Sequence, residues 1–197
     1  MRRWMGEVLS GLRGGAWLSG VTTPLRGLVR LMRLDPAWPA DFDLTTAGFV
    51  RSFLGPLLAL PASLACDGLS HAAQGGAWPV SASLGQWAVV AAGYPLAVLT
   101  ACALVGATRG FAAFVIVSNW ASLLLYLALL ALEPLALNAA TSGAFEFASL
   151  LVAAGFMYLL WRAAWETLSH QLGVVILVVL LYLAAAAGAA ALFPISP

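Results

Sequence analysis

An all-α, polytopic membrane fold follows from three features of the sequence. The 197 residues are 62% hydrophobic and only 9% charged, against roughly 25% charged in a soluble domain, whose surface must face water. Five apolar segments recur, at approximately 47–66, 84–106, 111–132, 145–165 and 172–193. Each has about the length needed to cross a ~30 Å hydrocarbon layer at ~1.5 Å per residue. Finally, the arginines are confined to one set of connections. Residues 1–46 read as an interfacial arm and 47–197 as a five-helix transmembrane bundle.

The arm predicts two short amphipathic helices. Trp4, Met5, Val8, Leu9 and Leu12 gather on one side of the first, with Arg2, Arg3, Glu7, Ser10 and Arg13 opposite. The same polar residues interrupt any signal-peptide core. Gly14 and Gly15 break the pattern, and a second run follows Pro24. There Arg26, Arg30 and Arg33 form a cationic stripe beside Leu25, Leu28, Val29 and Met32. An apolar face next to arginines suits an anionic lipid surface, in preference to docking on a protein or nucleic acid. The run 35–39, Asp-Pro-Ala-Trp-Pro, ends this helix.

Asp43, Thr45 or Thr46 can cap the first span. Arg51 lies near its start, within reach of Asp41 or Asp43. Pro56 and Pro61 free the carbonyls of Ser52 and Leu57, which predicts a kink. A polar, glycine-rich loop is expected at 67–83. The second span carries Gln86 near one end and Tyr94-Pro95 near its middle. Residues 107–110 turn tightly into the third span, which holds Asn119 about midway. Glu133 to Glu146 reads as the next loop. Trp161 and Trp165 suit a headgroup belt, with Arg162 and Glu166 as an i, i+4 pair. The fifth span is nearly all small residues at 184–191, and Ala184 and Gly188 form a small-xxx-small pair.

With five spans, the arm, the 107–110 turn and the 162–171 connection share one side. Those segments, with Arg51, hold all nine arginines, and the chain has no lysine. The other side has Asp67, Glu133 and Glu146. The positive-inside rule then predicts N-in/C-out. Cys66 and Cys102 should lie ~25 Å apart, too far for a disulfide.

Asn119 is the principal polar residue inside a span, with Ser118 beside it and Tyr94 and Pro95 at compatible depth on the second span. An amide in hydrocarbon needs a partner. These four residues form the candidate intramembrane polar site, either an interhelical hydrogen bond or a point on a solute path. Arg26, Arg30, Arg33, Arg51 and Arg162 are the candidate lipid headgroup contacts. Asp67 and His71, with Glu133 and Glu146, read as solvated loop residues rather than a metal site. No catalytic motif is present, and no histidine lies within a span to hold haem. No enzyme activity, metal or cofactor is therefore expected.

Two stretches carry a resemblance. Residues 43–53, DLTTAGFVRSF, and Val117-Ser118-Asn119-Trp120 are similar to stretches in the first and third spans of a family of small uncharacterised bacterial inner-membrane proteins. The five-span plan with a polar arm also resembles distantly Yip-like membrane proteins. That resemblance implies a multi-pass protein of the bacterial inner (cytoplasmic) membrane and defines no catalytic residue. The leading expectation is a non-enzymatic accessory or scaffold subunit that meets anionic lipids and other membrane-protein subunits, or itself, and no nucleic acid. The alternative is a small-solute transporter or channel using Asn119. A third is a lipid-handling protein with a pocket around Arg51, Arg162, Glu166 and His170.

Overall fold

The computed structural model describes residues 16–74, 78–137, 142–168 and 170–194. The expected helix around residues 4–13 lies outside them. Helix α1 spans Ala16–Met32. A 3₁₀ turn at Trp38–Asp41 follows. The first long helix is two pieces, α2 (Thr46–Ser52) and α3 (Leu54–Gln74). The second is α4 (Val80–Ala88), a π turn at Val89–Gly93, and α5 (Tyr94–Val105). Then come α6 (Phe111–Ala136), α7 (Ser142–Thr167) and α8 (Leu172–Leu192). Five of the resulting helical segments are long and apolar enough to cross a membrane. The chain is a multi-pass helical membrane protein.

Helix α6 is the axis. Residues 114–121 are buried without interruption, so the helix is enclosed around its whole circumference. A helix apolar on every side can only be satisfied by such enclosure or by lipid. Here α1, α2, α3, α5 and α7 all pack on it.

Two helices beside this axis are interrupted by proline. Pro56 has no N–H to offer the Ser52 carbonyl. The chain tightens at Phe53, whose N–H bonds Val50 O at 3.3 Å, and then resumes as α3. Pro61, in contrast, sits inside a continuous helix. Pro95 likewise has no N–H for Ala91, and the π turn directly precedes it. The wider turn makes room for the ring.

Helix ends extend further than hydropathy suggests. Helix α3 continues through Asp67 and His71, assigned above to a loop. Helix α6 continues through Glu133 and Pro134, also assigned to a loop. Backbone groups near hydrocarbon still require internal hydrogen bonds, so helices persist beyond their apolar core. A proline near a C-terminus forfeits one bond without stopping the last turn.

The Gly110 Cα approaches the Thr167 carbonyl so closely that no Cβ would fit. The α5–α6 turn and the end of α7 therefore meet. Arg109 in that turn and Arg162 near the end of α7 belong to this end. At the other, Gln86 Nε2 donates to Phe193 O at 2.7 Å, joining α4 to the end of α8.

The arm is docked on the bundle. Helix α1 passes straight through Pro24 instead of starting after it. Pro24 is buried, and Leu28 and Leu31 are wholly so, while Val29 and Met32 of the expected apolar stripe are exposed. Positions 24, 28 and 31 share one helical face, and the arginine stripe lies opposite. Arg26 Nε and Nη2 donate to Asp41 Oδ1 at 2.9 and 2.5 Å, and Arg30 pairs with Oδ2 at 2.9 Å. Gly27 lets the Phe42 ring lie against the α1 backbone. Asp43 accepts from Thr45 N and Oγ1, and Thr45 Oγ1 accepts from Gly48 N at 3.1 Å, capping α2.

The Arg26 hydrogen bond holds the Asp41 carboxyl below its ordinary value of 3.8, and Thr45 does the same for Asp43. A carboxylate with a lowered native pKa stabilises the fold above that ordinary value and stops doing so as pH falls through the native one. Arm docking should therefore hold at neutral pH and loosen in acid below about pH 4. Limited proteolysis between Met32 and Thr46 should accelerate there. Asp41→Asn should give the fast, pH-insensitive rate already at pH 7.

Candidate functional site

Pro56 sets the geometry of the site. Because the turn at Phe53 is broken, Ser52 and Gly55 present themselves together to α6. Ser52 is fully buried and Asn119 nearly so. Asn119 Nδ2 lies 2.9 Å from Ser52 Oγ, and Ser52 Oγ lies 2.7 Å from Phe49 O. A serine hydroxyl has one proton, and a carbonyl can only accept. Ser52 therefore donates to Phe49 and accepts from Asn119, which fixes the amide with its NH₂ toward α2. Gly55 packs on the Asn119 carbonyl at a separation that excludes a Cβ.

The asparagine partner is thus Ser52 of the first span. The sequence pointed to Tyr94 and the Ala91 carbonyl on the second. All four candidate residues nevertheless line one cavity of about 40 Å³: Tyr94, Pro95, Ser118 and Asn119, together with Ser122, Tyr126 and Tyr182. Such a space holds a few waters at most. Ser118 and Ser122 donate to Val115 O and Asn119 O, so their protons are taken. Tyr94 is 4% exposed and its hydroxyl has no hydrogen-bond partner among the described residues. Its ring is held edge-on to Tyr182 at 5.2 Å and Phe114 at 6.2 Å. The scaffold therefore fixes Tyr94 through its ring alone.

The sequence reading missed Ser52, Gly55, Ser122, Tyr126 and Tyr182. Two signals were present. Asn119, Ser122 and Tyr126 stand at i, i+3 and i+7, one face of α6. Ser52 stands four residues before Pro56, where a carbonyl is released.

Glu133 is not a solvated loop residue. It is 3% exposed within α6, beside the Cys66 thiol of α3, and its Oε2 has no hydrogen-bond partner among the described residues. His71 is also buried, with Nδ1 2.8 Å from Asp67 O. Among the described residues no three of His, Cys, Asp and Glu are grouped to hold a metal. Of the candidate headgroup arginines, Arg26 and Arg30 pair with Asp41, Arg51 reaches Asp43 at 3.5 Å, and Arg162 pairs with Glu166 at 2.5 Å. No salt bridge involves Arg33 among the described residues, and its side chain is exposed.

No family model, curated protein or solved structure matches the chain. The geometry therefore carries the functional reading by itself.

Two substitutions separate the parts of this site. Gly55→Ala should destabilise the bundle by about 1–3 kcal/mol, since the methyl forces α3 off α6. Tyr94→Phe should leave stability within about 0.5 kcal/mol, because the lost hydroxyl bonds nothing in the protein. Reversible unfolding in mixed micelles measures both.

Proposed function

We propose that this protein binds a small solute inside the bundle and conducts or carries it across the membrane, using the cavity at Asn119. The observation behind this is the Tyr94 hydroxyl, buried and unpaired in a cavity flanked by two proline-interrupted helices. A hydroxyl away from water costs free energy until something bonds it. Irregular backbone at membrane depth is tolerated where it lines a cavity, and interrupted helices mark binding sites in many transporters. The cavity wall offers amide, hydroxyl and ring groups and no acid–base pair, which favours binding over covalent chemistry.

Under the positive-inside rule the arginine-bearing end faces the cytoplasm and the Asp67 end faces out. Arg26, Arg30, Arg33, Arg51 and Arg162 then lie where anionic headgroups would meet them.

A second reading, an accessory or scaffold subunit, is supported by α8. Ala184 is exposed, and a Cβ at Gly188 would meet nothing within 4 Å. This small-residue pair is unused within the chain and would admit another helix closely. Cross-linking at 184 in native membranes tests that reading.

The solute reading requires water to reach α6. In a background with Cys66 and Cys102 replaced, Ser122→Cys and Asn119→Cys should react with a membrane-impermeant thiol reagent. Leu127→Cys, on the lipid side, should not. Complete protection at both 119 and 122 would overturn the solute reading.

A further inference from the structure

The cavity at Asn119 does not stand alone. A second chamber of about 160 Å³ lies toward the Asp67 end and shares Trp87, Val90, Tyr126 and Tyr182 with it as common wall. Asp67 lines the outer chamber and Asn119 the inner one, on either side of that shared wall. Polar groups in this outer chamber are Ser63, Asp67, Ser83 and Gln86. Most are already engaged. Tyr126 bonds Ser63, Ser83 accepts from Trp78 Nε1 at 3.2 Å, and Gln86 donates to Phe193.

Asp67 is different. No arginine or lysine exists in the sequence from 52 to 108 or from 110 to 161, nor after 162. Its carboxyl interacts with that of Glu133, and the His71 ring lies one turn along, its Nδ1 2.8 Å from the Asp67 carbonyl. A half-buried carboxylate thus lines an aromatic chamber with no arginine among the described residues to pair with it. An anionic solute would meet repulsion there and find no counter-charge further in. A cation would meet the carboxylate first and then the π systems of Trp87, Tyr126 and Tyr182, which attract positive charge. At the inner end, Asn119 Oδ1 and the Tyr94 oxygen are acceptors for its N–H or O–H groups.

We infer that the solute is a small organic ammonium ion, admitted at Asp67 and held among Trp87, Tyr126 and Tyr182 above Asn119. This rests on the solute reading and adds the charge and shape of the occupant. A compact cation with an apolar shell suits aromatic walls better than a strongly hydrated metal ion, which would have to shed water against rings.

The test uses the full chain in mild detergent, titrated calorimetrically at constant ionic strength. Choline is the cationic probe, 3,3-dimethylbutan-1-ol its neutral isostere, and potassium chloride the inorganic control. Choline should bind saturably and the isostere at least about tenfold more weakly, since charge is the only difference between them. Asp67→Asn should weaken choline by a similar factor without lowering the unfolding temperature of the free protein. Trp87→Leu provides a second variant should Asp67→Asn misfold, and it too should weaken choline. Choline, and not the isostere, should slow labelling of cysteine at 122. Equal binding of choline and isostere, or saturable binding of potassium with indifference to choline, overturns the inference and leaves the cavity standing. If position 122 is labelled but neither organic probe binds, the ammonium assignment fails alone. If 119 and 122 are both protected from label, the underlying solute reading fails with it.

Discussion

The junction between Ser52, Gly55 and Asn119 is the contact on which the rest of the structure depends. Hydrocarbon supplies no water to satisfy a stray amide or carbonyl, so each polar group must find its partner within the protein. Pro56 breaks the first long helix, and α6 carries an amide at the same level. Each irregularity answers the other: the break exposes Ser52 to Asn119, and Gly55 brings the two backbones together. Around that contact the enclosed stretch of α6 becomes the axis against which α1, α2, α3, α5 and α7 pack.

The same constraint shapes the cavity. Pro95 forces a wider turn into the second long helix, and Tyr94 is directed inward beside it. The bundle bonds the Asn119 amide through Ser52 and, among the described residues, leaves the Tyr94 hydroxyl without a partner. Structural amides in membranes are normally sealed by their neighbours. One that lines a cavity beside an unpaired phenol is better suited to receiving a guest. Charge is distributed to match. Arg26 and Arg30 are partly neutralised by Asp41, Arg51 by Asp43 and Arg162 by Glu166, while among the described residues Asp67 and Glu133 have no arginine partner.

The class of fold was legible because length and hydropathy act locally. About 20 apolar residues without charge read the same way wherever they occur, and five such helices are present. That Asn119 would be buried and bonded was legible for a related reason, since one amide in a long apolar run has to find a partner. Its partner was not legible. Hydrogen bonding between spans depends on which helices are neighbours, and no periodicity states that Ser52 faces α6. Helix ends were read short because hydropathy drops before the backbone hydrogen bonds do, which placed Asp67, His71 and Glu133 in loops. The arm was read as resting on lipid because an apolar stripe looks the same against lipid or protein. The buried residues proved to be Leu28 and Leu31, turned toward the bundle and tethered by Asp41.

The junction is tested most directly by a double-mutant cycle on Ser52 and Asn119, made with Ser52→Ala, Asn119→Leu and the pair. Reversible unfolding in micelles should give a coupling energy of about 0.6–1.7 kcal/mol, the range of hydrogen bonds between helices in membranes. Strictly additive effects would mean that the two side chains do not meet, and would contradict the arrangement from which the cavity is built.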